Sequence, residues 1–225
     1  MTVTETLRTL DSLGTAQNRK VYARHGASDN QYGVSFAHLQ KLQKRIRMDQ
    51  ALALGLWKSG NADARILAAM IADPAKMTER ILDGWIGTVR YYVLADAVAS
   101  LAIRAKFARR LAERWVREPE EFVAQAGWSM VARLAIQDKT VPEAYFAKFL
   151  PRIGRTIHKV ENRARYAMNN ALIAIGARSD ALERQATAVA KTVGPVEVEH
   201  GDTGCKTPDA VSYIKKARAH RRAGE

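Results

Sequence analysis

Apolar residues recurring every three or four positions, in blocks cut off by short turns, constrain this chain more than any other feature. The stretch from Tyr32 to Pro74 shows one such unit complete. Ser35 is an N-cap residue type, and Phe36, Leu39, Leu42 and Ile46 follow at helical spacing while Lys41, Lys44, Arg45 and Arg47 fill the other side. Asp49 opens a second helix with Leu52, Leu54, Leu56 and Trp57 apolar, Ser59-Gly60 breaks it, and Asn61 caps a third that carries Ile66, Leu67, Met70 and Ile71 towards Pro74. Helices of about ten to fourteen residues are marginal alone in water, so each must bury its apolar face on neighbours of the same kind. An all-α array is the expected fold.

The rest of the chain repeats the pattern. Helices are predicted from Thr2 to Leu13, Ala16 to His25, Met77 to Trp85, Val89 to Ile103, Phe107 to Val116, Phe122 to Ile136, Pro142 to Leu150, Arg155 to Ile175 and Ala181 to Val193. Helix pairs spaced by about 35 to 45 residues fall in the range of HEAT or armadillo repeats. Residues 1–193 are therefore read as one repeat domain, and residues 194–225 as a C-terminal addition packed on it. In that addition Val196-Glu-Val-Glu alternates as a short strand does, and Thr207-Pro208-Asp209 reads as the start of a final helix ending in His220-Arg221-Arg222.

Charge points to a polyanionic partner. Thirty-six Lys+Arg against 23 Asp+Glu leave a formal net charge of +13, which steers a protein towards nucleic acid. No apolar run approaches the roughly twenty residues of a membrane span, and the N-terminus has no basic-then-apolar signal pattern, so a cytoplasmic protein with no membrane partner is expected. The single Cys205 excludes an intrachain disulfide and every multi-cysteine metal motif. His200, Asp202, Cys205 and His220 match no ligand spacing, so no metal site is expected.

Four phrases, in order, carry a family resemblance: YGVSFAHLQKLQKRIR, LALGLWKSGNADARILAAMIADP, FVAQAGWSMVARLAIQDK and ARYAMNNALIAIGAR. Together they resemble the HEAT-like-repeat DNA alkylation-repair family, the AlkD-type alkylpurine DNA glycosylases and their relatives. The resemblance spans roughly Gly14 to Ala190. It implies a right-handed α-solenoid with a basic concave face for duplex DNA, release of N3- or N7-alkylated purines in the glycosylase members, and no metal or organic cofactor.

The chemistry of such a site is undemanding. A cationic alkylpurine is already a good leaving group, so a carboxylate that offsets the developing sugar cation and a grip on the DNA suffice. Tyr92 and Asp96 stand four residues apart on one predicted helix, next to Tyr91, and Asp96 is the acid in an otherwise apolar segment. The resemblance makes Asp96 the catalytic-type carboxylate with Tyr92 beside it. The residues alone also allow Asp96 to cap a neighbouring helix or to pair with an arginine such as Arg65 or Arg133. Two positions depart from the family pattern: Gln125 stands where the resemblance expects a cleft arginine, and Asn170, next to Asn169, where it expects a tryptophan. Arg163 and Arg165, or Trp128, are the candidates to compensate. Tyr91, Gln125, Arg163, Arg165, Asn169, Asn170, Lys41, Lys44 and Arg45 are the expected DNA contacts. Trp57, Trp85, Trp115 and Trp128 equally suit a packed core.

Three functions stay open at this level. One is a monofunctional alkylpurine DNA glycosylase; another is a non-catalytic protein that binds damaged or branched DNA by shape and charge; the third is a helical scaffold for an acidic protein. A monomer on alkylated or distorted double-stranded DNA is the expected assembly.

Overall fold

A computed structural model describes residues 1–223; the side chains of Arg221 and Arg222 lie outside the described residues. Among the described residues the chain is all helix and loop, with one isolated antiparallel bridge between Gly14 and Val34. It divides into two compact units, Met1–Ala108 and Arg109–Glu225. The 194–225 segment belongs to the second of them.

The first unit holds α1 (Val3–Leu13), α2 (Ala16–Arg24), α3 (Phe36–Ile46), α4 (Gln50–Lys58), α5 (Ala62–Ile71), α6 (Glu79–Gly87) and α7 (Tyr92–Ala102). The caps read from sequence form as hydrogen bonds. Ser35 accepts from His38 N at 3.3 Å, Asp49 from Leu52 N at 2.9 Å, and Asn61 from Ala64 N at 3.1 Å, each such cap contributing about 1 kcal/mol. Apolar α5 lies at the centre of the unit, against α3, α4 and α7. Trp57 and Trp85 are both buried and stack face to face, with ring centroids 4.1 Å apart. Phe36, the first residue of α3, departs from the inward face predicted for it, being 54% exposed, because it stands beside a cavity and not against a filled core.

One loop of this unit is held more firmly than its length suggests. Tyr32, Gly33 and Val34 donate their backbone N–H groups to the Asp63 carboxylate at 2.7, 3.0 and 3.1 Å. From the other side Thr15 N and the Asn18 amide donate to Gly33 O, and the Tyr22 hydroxyl donates to Val34 O at 3.0 Å. Gly33 is required here, since its φ is 77° and a Cβ would stand 2.6 Å from Thr15 O. Asp63 thus ties the loop to α5 while α2 grips its opposite edge.

The second unit holds α8 (Ala108–Trp115, its first residue shared with the boundary), α9 (Glu121–Gln137), α10 (Glu143–Ala147), α11 (Leu150–Thr156), a 3-10 turn (Ile157–Lys159), α12 (Asn162–Gly176), α13 (Asp180–Val193) and α14 (Ala210–Ala223). Its core is the pairing of the two longest helices, α9 and α12. The single helix predicted from Arg155 to Ile175 is in fact broken: α11 tightens into the 3-10 turn, and Val160 and Glu161 adopt extended backbone before α12 starts. Gly127 on α9 allows a close approach to the end of α8, because a Cβ there would meet Val116 N at 2.6 Å and Trp115 C at 2.8 Å.

The predicted strand at Val196–Glu199 does not form. A side chain takes the place of a neighbouring strand: Asn162 Nδ2 donates to Glu199 O and Glu199 N donates back to Asn162 Oδ1, each at 2.8 Å. The cap of α14 is Asp209, whose carboxylate accepts from Ser212 N at 2.8 Å, not Thr207. The helix is fastened to α12 and α13 by Arg218, buried, which donates to Glu183 at 3.3 Å, to Ala177 O at 3.4 Å and to Asp180. Two carboxylates and a carbonyl around one guanidinium offset its desolvation.

Candidate nucleic-acid interface

In the first unit the carboxylate and two rings read from the sequence share the start of one helix. Tyr91 is the N-cap residue of α7, Tyr92 begins the helix, and Asp96 follows one turn later, with Tyr92 and Asp96 half-buried. The Tyr91 and Tyr92 rings meet edge to face with centroids 5.5 Å apart. Tyr92 also reaches α2's end, its hydroxyl lying 3.2 Å from His25 Nδ1. Burial, reinforced by the neighbouring Tyr92 hydroxyl, pushes the Tyr91 phenol well above its ordinary range, so it stays a neutral donor. Arg65, one arginine considered as a partner for Asp96, is committed elsewhere: its Nε donates to Trp57 O at 3.1 Å and its guanidinium covers the Trp57 ring at 5.1 Å.

The basic residues of α3 behave as the periodicity predicts. Lys41, Lys44 and Arg45 are all exposed, on the side opposite buried Leu39 and Leu42. Spacings of three and four residues set them in one stripe. None forms an ion pair with a described residue. Lys44 and Arg45 lie in the last turn of α3, where the helix dipole favours cations, but like charges at this spacing repel and no carboxylate among the described residues neutralises the stripe.

The second unit places its candidate residues differently. Gln125 is 4% exposed on α9 and Asn169 is fully buried on α12. Asn169 donates from Nδ2 to Pro208 O at 2.9 Å and so anchors the segment that leads into α14. Arg165 spends both terminal nitrogens on backbone carbonyls, Glu197 O at 3.0 Å and Val160 O at 2.9 Å. Arg163 and Asn170 are half-buried, and Arg163 N donates to Glu121 Oε1 at 2.6 Å. Trp128, considered as a replacement for the missing tryptophan, is 1% exposed and packs edge-on against Phe149. It belongs to the core, as do Trp57, Trp85 and Trp115.

Sequence reading missed a cavity of about 230 Å³ inside the first unit, behind Tyr91 and Tyr92. Tyr22, His25, Gln31, Phe36 and Asp63 line it with those two rings; Asp96 does not. A signal for it was present: Asp63 is an acid in the apolar helix ADARILAAMI, the same pattern that singled out Asp96. Desolvation raises the Asp63 pKa above the usual carboxylate range, against the opposing pull of the Tyr32, Val34 and Gly33 N–H groups. Among the described residues no cluster of three His, Cys, Asp or Glu side chains could hold a metal ion, and His200 is instead bonded to Thr207 at 3.0 Å. Nor, among the described residues, is any helix long and apolar enough to cross a membrane.

Comparison with known proteins places these features in a family. Residues 6–214 match the family model described as DNA alkylation repair enzyme. Uncharacterized proteins of Listeria innocua and Listeria monocytogenes are each 31% identical over 215 residues, covering 93% of this chain and 94% of their own. A solved structure superposes with a TM-score of 0.90 at 31% identity, covering 100% of this chain and 97% of its own. That structure is described as one of a new family of proteins related to the HEAT-like repeat DNA glycosylases, with affinity for branched DNA structures. The fold is thus of the HEAT-like repeat kind.

Proposed function

The chain belongs to the DNA alkylation repair enzyme family, and from that premise we propose that it binds distorted or branched double-stranded DNA by shape and charge, without releasing bases. The observation that carries this reading is the unneutralised stripe of Lys41, Lys44 and Arg45 on α3 in a chain of net charge +13. Phosphate contacts position a duplex without reading its sequence, and a lysine and arginine stripe is suited to them. The affinity for branched DNA described for the structural relative supports the choice of distorted DNA. The half-buried Asn170 and Arg163 are the second unit's polar candidates for backbone contacts, whereas Gln125, Asn169 and Arg165 serve the interior and the 194–209 segment.

Loss of catalysis is argued from the gripping residues. A carboxylate stabilises a sugar cation only where DNA is held against it. At the two gripping positions stand Gln125, buried, and Asn170, which cannot stack. Of the three candidate replacements, Trp128 and Arg165 are occupied by packing and by backbone carbonyls, which leaves half-buried Arg163.

A second reading keeps the glycosylase. Asp96, half-buried one turn after Tyr92, is the observation that favours it. One assay separates the two: the protein is incubated with duplex DNA carrying N7-methylguanine and N3-methyladenine, and free base is measured beside affinity for a four-way junction and a linear duplex of equal length. Tighter junction binding with no base above the spontaneous rate is expected. Enzyme-dependent base release that Asp96→Asn lowers at least about tenfold, roughly 1.4 kcal/mol of barrier, would establish the glycosylase instead.

A further inference from the structure

The cavity behind Tyr91 and Tyr92 has a composition at odds with the rest of the molecule. The chain carries a net charge of +13, yet no lysine or arginine lines this cavity and its carboxylate is that of Asp63. Asp63 is 2% exposed and forms no ion pair with a described residue; its partners are three neutral backbone N–H groups. Those bonds orient the carboxylate and stabilise its charge in part, but no cationic side chain among the described residues pairs with it. Aromatic rings line the same cavity: Tyr22 and His25 from α2, Phe36 from α3, Tyr91 and Tyr92 at the start of α7. The faces of such rings are electron-rich and attract cations, most strongly where water is excluded.

A second polar group at the cavity is only partly satisfied. Gln31 is 8% exposed and lines the same cavity; its Nε2 donates to Arg19 O at 3.4 Å, while its Oε1 is buried without any hydrogen bond. Buried acceptors are nearly always satisfied, so an unbonded one on a residue that lines a cavity is a candidate to take a ligand's N–H. Exposed Phe36 borders the cavity, so the site opens to solvent there. At about 230 Å³ the space is below the 300–1,000 Å³ typical of drug-sized ligands, which restricts the occupant to a small molecule.

We propose that this cavity is a binding site for a small planar organic cation bearing N–H donors, held by the Asp63 charge, the Tyr and Phe rings, and a hydrogen bond to Gln31 Oε1. The site stands on the first unit alone and does not depend on whether the chain binds DNA. It is also separate from Asp96, which lies outside the lining.

The test uses the full chain and no DNA. Benzamidinium, a planar cation with N–H donors, and benzamide, its neutral counterpart of nearly the same shape, are titrated by calorimetry and by following aromatic proton resonances of the tyrosines. Benzamidinium is expected to bind saturably, and benzamide at least about tenfold more weakly. Gln31→Leu fills the same space and removes the unsatisfied acceptor, so it should fold with undiminished stability yet bind benzamidinium at least about threefold more weakly. Phe36→Ala, at an exposed position, should weaken binding in the same direction. Equal affinity for benzamidinium and benzamide, no saturable binding of benzamidinium at millimolar concentration, or unchanged affinity in Gln31→Leu would each overturn the proposal.

Discussion

Replacing Asp63 by Asn tests whether the loop at Tyr32–Val34 is held as the structure describes. Both Tyr32 N and Gly33 N donate to Oδ2, at 2.7 and 3.0 Å, and Val34 N to Oδ1 at 3.1 Å. An asparagine oriented to keep the first two bonds presents its own NH2 to Val34 N–H, donor against donor. Val34 is 1% exposed, so water cannot substitute. Losing one bond to a charged acceptor and stranding a buried donor costs about 1.5–3 kcal/mol, and removing a buried charge returns part of it. A net loss of about 2 kcal/mol is expected, equivalent to a fall in Tm of roughly 4–8 °C at this chain length. Urea unfolding followed by tryptophan fluorescence is a suitable assay, because the Trp57–Trp85 stack lies in the same unit. The pH dependence has a definite sign. The folded-state pKa of Asp63 is raised, so the native state holds this proton more tightly than the unfolded chain. The wild type's advantage over Asp63→Asn is therefore full below the ordinary carboxylate pKa of 3.8 and narrows as pH rises through the folded value. Stability within about 0.5 kcal/mol of wild type, or an advantage that widens with pH, would refute the reasoning.

Other substitutions probe the remaining joints. Gly127→Ala puts a Cβ 2.6 Å from Val116 N, a backbone atom that cannot swing aside, so a loss of about 1–3 kcal/mol in chemical denaturation is expected. Arg218→Met removes the charge that joins α14 to Asp180 and Glu183; amide exchange should accelerate across Ala210–Ala223 while α9 keeps its protection. Asp96→Asn should leave junction affinity equal to or slightly above wild type, since a negative charge has been removed, and a severalfold loss in a binding titration would contradict that placement.

The helices were legible because caps and apolar spacing act locally. Ser35, Asp49 and Asn61 cap α3, α4 and α5 from positions fixed by sequence. What failed depended on partners distant in the chain. Val196–Glu199 alternates as a strand does, but its hydrogen bonds go to Asn162 and Arg165, more than thirty residues away. The break between α11 and α12 has no proline or glycine at Val160-Glu161 to announce it. In the candidate site the i, i+4 relation of Tyr92 and Asp96 could be read directly, because both lie on one helix. Gln125 and Asn169 could not be placed from pattern, since their burial is set where α9 and α12 pack together and where Pro208 returns to α12. The cavity could not be assembled from pattern for the same reason, since its walls come from α2, α3, α5, α7 and a loop held by Asp63, although the acid in apolar α5 marked one of them.

The salt dependence of junction binding, compared between the wild type and the triple substitution Lys41→Ala, Lys44→Ala, Arg45→Ala, tests the central claim most directly. Each phosphate contact removed should lower the magnitude of the slope of log K against log salt by about 0.9, and three exposed side chains set an upper bound of about 2.7. The three positions are exposed, and none forms an ion pair with a described residue, so the fold should tolerate the change with a far-ultraviolet circular dichroism spectrum like that of wild type. The account predicts weaker binding with a slope shallower by about 0.9 to 2.7. An unchanged slope in a folded triple variant, or no salt dependence in the wild type, would contradict it.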